Sequence, residues 1–302
     1  RNFLMKVLLT GANGQLGQMI KIDRPQNINL IALDKTKMDF MNPNLCYEKI
    51  LDIKPDWVIN CGAYTLVDEA EENKKKALQI NAFVMKSISE AIKLINGKLL
   101  HISTDFVFDG LQKKPYKPFQ KKNPINIYGR SKALGENLIK DTLKKGTQSI
   151  ILRTSWLVGP RGNNFALKML NLHKNNKILK VVSNQFGSPT TTSSLSKACW
   201  AIIKKHNESI NQNNNFPGIL HWSDAGVASW YDLAYEVGEI AVQLGLIRKP
   251  ATVIPIKSSE YPTKAKRPHY SVLDCTSTQN IIGLRPLDWR ESLFDSLKIL
   301  KK

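Results

Sequence analysis

The sequence predicts an α/β protein: a doubly wound parallel sheet joined to a smaller, loop-rich C-terminal lobe. Three observations carry this. Short apolar runs without polar alternation recur through the first 150 residues, helix-like segments separate them, and beyond about Ser223 the texture turns to proline-rich loops. Strands covered on both faces read as continuous apolar runs, and parallel strands need a crossover, usually a helix, between them.

The elements follow in order. Lys6–Thr10 is a first strand that opens into a glycine loop and then a helix. Asn29–Leu33 is a second strand, closed by Asp34. Asp56–Cys61, Lys98–Ser103 and Ser149–Arg153 continue the series. The Asn-rich stretch Asn207–Asn215 reads as an exposed loop. A helix-like segment near Trp230–Leu244 precedes Pro250, Pro255, Pro262, Pro268 and Pro286, and a last helix is expected near Trp289–Leu300. This divides the chain into a sheet domain, residues 5–156 with about 190–222, and a second lobe, about 157–189 with 223–302. Residues 1–4 read as an appended extension, with Met5 the natural start.

Composition narrows the class. With 302 residues the chain suits one large domain or two modest ones. No apolar stretch approaches the ~18 residues of a membrane span, and no cleavable leader is evident. Cys46, Cys61, Cys199 and Cys275 lie far apart without disulfide or metal spacing, so a reduced, cytoplasmic protein is expected. The formal charge is +19. Its lysines are scattered in short runs such as Lys74–Lys76, without interleaved aromatics, so a solvated basic surface is expected rather than a nucleic-acid footprint. Such a field also draws in small anionic substrates.

Gly11-Ala12-Asn13-Gly14-Gln15-Leu16-Gly17 follows the first strand and opens a helix. Alone, such a loop is either a plain turn or a cradle in which backbone N–H groups and a helix N-terminus meet a pyrophosphate. Asp34 ends the next strand 23 residues after Gly11, where a carboxylate would bond a ribose hydroxyl. Asp39 and Phe40 follow, placed to hold an adenine. Strand, loop, helix, strand and acid together give a Rossmann-type dinucleotide site. Asp34 favours NAD by repelling a 2′-phosphate, whereas Lys35 and Lys37 would neutralise one, so NADPH and NADH both stand.

Tyr128 and Lys132 lie four apart in Tyr128-Gly129-Arg130-Ser131-Lys132, on one face of a helix. A phenol titrates near 10 unaided, and a nearby ammonium lowers that value, so the pair is either an acid–base device or a chance spacing. Ser103-Thr104-Asp105 ends a predicted strand about 25 residues upstream. Thr104 would there hydrogen-bond a carbonyl oxygen receiving hydride, or else cap a turn.

With these residues the chain resembles the extended short-chain dehydrogenase/reductase family, and within it the dTDP-4-dehydrorhamnose reductases. Besides the glycine loop and the Tyr–Lys pair, the matching blocks are Asn60–Glu71, Asn81, Ser103–Gly110, Arg153–Trp156, Gln185–Thr190 and Arg267–Asp274. They run from about residue 5 to 298. The resemblance implies hydride transfer from NADPH or NADH to carbon 4 of a dTDP-linked 4-keto-6-deoxyhexose, the final step to dTDP-L-rhamnose. Tyr128, Lys132 and Thr104 are then catalytic. Gly11, Asn13, Gly14, Gln15, Leu16, Gly17, Asp34, Asp39, Phe40, Ala63, Tyr64 and Thr65 bind cofactor, as do Tyr128 and Lys132. Val67, Asp68, Thr104, Asp105, Trp156 and Arg267 face the sugar nucleotide. Three have alternatives: Trp156 as a core aromatic, Asp68 as a helix cap, and Arg267 as an anchor of the second lobe.

Two departures from the family pattern stand out. Phe106 replaces a frequent Tyr, removing a hydroxyl. Gln18-Met19-Ile20 and Thr190–Ser194 lack the glutamates with which some members bind magnesium, so no metal is expected. The chain is expected as a monomer or homodimer, with no membrane or nucleic-acid partner. Competing readings are another nucleotide-sugar reductase or epimerase on the same scaffold, and a non-catalytic, cofactor-binding regulatory subunit.

Overall fold

In a computed structural model of the chain, which describes residues 4–212 and 214–301, the apolar runs form one parallel sheet. Its labelled strands are β1 (Met5–Thr10), β2 (Ile28–Leu33), β3 (Trp57–Asn60), β4 (Lys98–Thr104) and β5 (Ser149–Thr154). A sixth strand, Ile219–His221, pairs with the outer edge of β5. Across the sheet the order is Ile219–His221, β5, β4, β3, β1, β2. The chain winds one way from β1 to β2 and the other way from β3 onward, so the crevice for a ligand lies beyond the carboxyl ends of β1 and β3.

The helices are α1 (Gln15–Ile22), α2 (Pro43–Ile53), α3 (Val67–Glu72), α4 (Lys74–Leu78), α5 (Val84–Leu94), α6 (Ile127–Thr142), α7 (Phe165–Asn175), α8 (Thr192–Asn211), α9 (Trp230–Gln243), α10 (Thr276–Ile282) and α11 (Trp289–Lys298). A π-helical turn, Gln79–Phe83, joins α4 to α5. Both faces of the sheet are buried, which is why its strands do not alternate. Val7 and Leu9 of β1 pack toward α1 and α8, through Leu16, Ile20, Leu195 and Cys199. Leu8, between them, packs the other way with Ile50 of α2, Ile88 of α5 and Ile139 of α6.

A second cluster lies outside the sheet, built from α7, α9 and α11 around Leu170, Leu233, Val237, Trp289 and Leu293. Against it sits a two-stranded parallel ribbon of Ile178–Val182 and Thr252–Ile256. The strand Thr252–Ile256 falls where proline-rich loop is expected. Pro255 fits because a ribbon strand has an outer edge that needs no donor. The loop expected over Asn207–Asn215 is also corrected: α8 continues to Asn211, with His206 buried against Trp57 at 4.9 Å. Within that stretch Asn213 lies outside the described residues, as do residues 1–3 of the expected extension. The four cysteines are free. Among the described residues no helix is long and apolar enough to cross a membrane.

Candidate active site

The glycine loop and the end of β3 close on each other. Gly11 has φ +67°, and a Cβ there would stand 2.6 Å from the Gly62 backbone nitrogen, so only glycine permits this approach. Gly14 precedes α1 and offers no side-chain cap, which leaves the first-turn N–H groups free for an anion. A cleft of about 400 Å³ opens here, lined by Gly11, Asn13, Gly14, Asp34, Asp39, Phe40, Ala63 and Tyr64 among others. Lys35 and Lys76 also line it.

Asp34 is already engaged. Its carboxylate accepts from the Asn13 amide at 2.8 Å and from the Thr36 hydroxyl at 2.6 Å. The Thr36 bond holds its carboxyl below the usual range. Three expected cofactor residues turn elsewhere. The Leu16 side chain is buried in the sheet core, so only its backbone N–H is available to a phosphate. Gln15 is held by the second lobe, donating to the Asn163 carbonyl at 3.1 Å and accepting from Asn164 at 2.9 Å. Thr65 is exposed and does not line the cleft.

The Tyr–Lys pair lies in the first turns of α6. Asn126 caps that helix, its Oδ1 accepting from the Gly129 N–H at 2.7 Å, while its amide donates to the Lys266 carbonyl at 2.8 Å. The Ile127 N–H donates to Glu71 of α3 at 2.8 Å. Tyr128 thus starts from a helix end tied to both lobes. Burial pushes its phenol up to about 12, the Thr104 hydroxyl bonded to it pulls down, and the nearby Asp105 carboxylate pushes up. Phe106 meets the Tyr128 ring edge-on at 5.9 Å.

Thr104 ends β4 and donates to Asp105 Oδ1 at 3.0 Å. Asp105 is 2 % exposed, and burial pushes its carboxyl up to about 6 against hydrogen bonds from Ser271 and Thr104. Lys132 is 2 % exposed and turns toward β4, donating from Nζ to the Ile102 carbonyl at 2.7 Å, with His101 Nε2 at 3.3 Å. Burial draws it down to about 8, although Glu136 and Cys61 favour its charge.

Among the residues expected to face the sugar, Val67 opens α3 and is partly exposed. Trp156 lies just past β5 with φ +45°, a left-handed conformation costly for an aromatic residue. Its indole stacks on Trp230 at 3.5 Å and 4°. Asp68 and Arg267 are each other's partners: Arg267 donates to Asp68 Oδ2 at 2.6 Å and to Oδ1 at 3.1 Å, and the Ala265 N–H adds a third bond. For Arg267 the anchoring alternative is therefore the one the contacts favour, and Asp68 is not a helix cap, since α3 has no side-chain cap.

Sequence reading gave no role to the polar groups beneath this site: Asn81, Ser103 and Arg153 stand in the matching blocks without one, and Glu136 is not singled out. Glu136, one turn beyond Lys132, is fully buried in a bidentate pair with Arg153 at 2.9 and 2.7 Å, with Ser103 at 2.7 Å and Lys122 at 3.0 Å. Asn81, in the π-helical turn, grips Tyr64 through both its N–H and its carbonyl, and donates to Ser131 on α6. A carboxylate at i+4 from Lys132 was a readable signal. The strand-to-helix pairings were not, since they join residues far apart in the chain.

The family model described as RmlD substrate binding domain matches residues 5–302. The dTDP-4-dehydrorhamnose reductase of Aggregatibacter actinomycetemcomitans is 37% identical, with 96% of this chain and 97% of that protein covered. That of Escherichia coli strain K12 is 33% identical over 95% of each. Among solved structures, the dTDP-4-dehydrorhamnose reductase of Bacillus anthracis, in complex with NADP, superposes with a TM-score of 0.88 at 32% identity, covering 99% of both chains. A UDP-glucose 4-epimerase from Brucella ovis has a TM-score of 0.78 at 15% identity, covers 98% of both chains and shares the fold alone.

Proposed function

This chain belongs to the RmlD substrate-binding-domain family, and from that premise we propose that it is an NAD(P)H-dependent reductase of dTDP-4-dehydro-β-L-rhamnose. The observation that carries the reading is that α6 brings both Tyr128 and Lys132 to the last residues of β4, Tyr128 to Thr104 and Lys132 to the Ile102 carbonyl, with Lys132 also beside Cys61, which lines the glycine-loop cleft.

The cleft fits a dinucleotide on its own chemistry: a loop with no room for a Cβ at Gly11 or Gly17, an uncapped helix end, and a carboxylate at the ribose position. Gly11, Asn13, Gly14 and the backbone of Gln15 and Leu16 would hold the pyrophosphate. Asp34 would take the adenosine ribose, and Asp39, Phe40, Ala63 and Tyr64 would line the remaining groove. When bound, the reduced nicotinamide supplies the hydride.

The remaining chemistry belongs to the protein. Thr104, turning its hydroxyl proton from Asp105 Oδ1, donates a hydrogen bond to the substrate carbonyl oxygen, favouring negative charge there. Tyr128 then gives its phenolic proton to that oxygen. Burial keeps this proton in place at neutral pH, which suits a group acting as acid in the reductive direction. Lys132, on the same helix face, steadies the phenolate that remains. Val67, Asp105 and the Trp156–Trp230 wall would border the sugar nucleotide, with the second lobe as its substrate side.

The test follows loss of nicotinamide absorbance on mixing the protein with NADPH or NADH and dTDP-4-dehydro-L-rhamnose. Oxidation matched by dTDP-L-rhamnose, and lost in Tyr128→Phe, is the expected result. No oxidation with either cofactor overturns the assignment. Oxidation only with other keto-sugar nucleotides would reassign the substrate.

A further inference from the structure

Beneath the cofactor groove a row of polar side chains crosses the apolar sheet. Thr10 of β1, Asn60 of β3 and His101 of β4 lie in register on adjacent strands. All are essentially fully buried: Thr10 0 %, Asn60 1 % and His101 1 % exposed. The row ends at Lys132. Thr10 donates to Asn60 Oδ1 at 2.6 Å, Asn60 Nδ2 lies 2.9 Å from His101 Nδ1, and His101 Nε2 lies 3.3 Å from Lys132 Nζ.

The directions of these bonds can be worked out. The Gly62 backbone N–H donates to Asn60 Oδ1 at 3.1 Å, and a backbone N–H has no other role to offer. That fixes the amide: Oδ1 faces Gly62 and Thr10, and the NH₂ faces His101. Nδ1 of His101 must therefore accept. Burial and the neighbouring Lys132 both hold His101 neutral, so its single proton resides on Nε2. This N–H points at the Lys132 nitrogen. Against an amine it makes a hydrogen bond; against an ammonium it sets donor against donor.

We propose that His101 is a positioning residue for Lys132: locked by Asn60 with its proton on Nε2, it disfavours the ammonium and holds Lys132 ready to release a proton beside Tyr128. The groups facing Lys132 are His101 and the Ile102 carbonyl on β4, Cys61 beyond β3, and Glu136 on α6, with Tyr128 one turn earlier on the same helix. Glu136 and Cys61 favour the charge; the imidazole N–H and burial oppose it. When Tyr128 has given its proton to the substrate oxygen, one proton moves from the Lys132 side to the phenolate. The resulting amine then accepts the Nε2–H, and solvent restores the proton after product leaves. The balance is one proton given and one returned, with no redox change. The row also reaches Gly62 and, through Thr10, the first strand.

This inference rests on the proposed reductase role for its catalytic meaning, but its structural core is testable without turnover. ¹⁵N NMR of the cofactor-free protein reads the His101 tautomer, with the signal assigned by its absence in His101→Gln. ¹³Cε-lysine NMR reads the Lys132 titration, assigned by Lys132→Met. The Nε2–H tautomer and a Lys132 midpoint near 8 are expected. In Asn60→Asp, a carboxylate accepts from Nδ1–H, the tautomer flips, and the midpoint rises by about one unit or more, tenfold in proton affinity. His101→Gln is expected to move it the same way, and serves alone if Asn60→Asp does not fold. An Nδ1–H tautomer in the native chain, or a Lys132 midpoint unmoved in the folded variants, overturns the proposal. A native chain with the expected NMR behaviour and no reductase activity would instead count against the function.

Discussion

Arg267 reaches Asp68 across 199 positions of sequence and holds its carboxylate with two bonds, at 3.1 and 2.6 Å. Both residues are expected to face the sugar nucleotide, yet each is consumed by the other. Around them the segment from Lys264 to Arg267 is tied to the sheet domain: Lys264 pairs with Glu72 at 2.6 Å, and the Lys266 carbonyl accepts from the Asn126 that caps α6. The pair therefore acts at one remove on α6, which carries Tyr128 and Lys132, by fixing the chain that steadies its start.

A double-mutant cycle on Asp68→Ala and Arg267→Ala measures this link. The pair is partly exposed, 21 % and 40 % at the two side chains, so a coupling of about 0.5–1 kcal/mol is expected. The Arg267 bond holds the Asp68 carboxyl below its ordinary value. Stability from this source is thus present above the unfolded carboxylate pKa and is lost as pH falls through the lower folded value. Chemical denaturation at neutral pH and at strongly acid pH reads both terms. A coupling near zero at neutral pH would show that the lobes are joined by other contacts.

The opposite sign applies to Asp105. Burial raises its folded pKa to about 6, so the folded chain binds a proton more tightly than the unfolded one between about 4 and 6. Stability from this group is largest below the unfolded pKa and falls as pH rises through 6. Asp105→Asn is expected to stabilise the protein at pH 7 by about 1–3 kcal/mol, with the gain shrinking toward pH 4, while reductase activity falls. Melting temperatures at the two pH values decide it; an equal gain at both would mean that charge burial is not the cause.

Glu136 is a different kind of buried carboxylate. Although burial acts against its charge, Arg153, Lys122 and Ser103 hold it ionised well below the ordinary range. Glu136→Gln leaves the Arg153 guanidinium, 1 % exposed, without its bidentate partner, and is expected to cost about 3–5 kcal/mol. Urea unfolding measures this, and a loss under about 1 kcal/mol would mean that water or the Pro118 and His221 contacts take over the guanidinium.

Why some of these features were legible and others were not follows from chain separation. Gly11 to Gly17, Asp34 and the Tyr128–Lys132 spacing are written in short stretches whose local geometry is set by strand, turn and helix. The five labelled strands announce themselves as uninterrupted apolar runs because both faces are covered. Ile219–His221 is too short to show a pattern, and Pro255 disguises its ribbon strand. Thr10 and Asn60 each look like a stray polar residue at a strand end and His101 like one in mid-strand; only the register of β1, β3 and β4 makes them a row. Trp156 reads as either site or core, and the structure makes it a partner of Trp230, 74 residues on.

That Trp156–Trp230 stack yields the last prediction. Trp156 is held at φ +45°, a strain of about 1–2 kcal/mol that its surroundings must offset. The offset comes from two sides: the Trp230 ring, itself anchored by Nε1 to Gln185 Oε1 at 3.2 Å and tilted on Phe165, and the bare backbone of Gly187. A Cβ at Gly187 would stand 2.5 Å from the Trp156 indole, closer than real Cβ atoms come. Gly187→Ala therefore has to push the indole off its partner. The ring is a stiff bicycle wedged against another, so a few tenths of an ångström of relief is not available without breaking the stack. Near-UV circular dichroism should lose the coupled tryptophan signal, and KM for the sugar nucleotide should rise about tenfold or more, while cofactor affinity at the glycine-loop cleft, which neither residue lines, stays unchanged. An unchanged KM with the stack visibly broken would remove Trp156 from the substrate side of the site and leave it as packing for the second lobe.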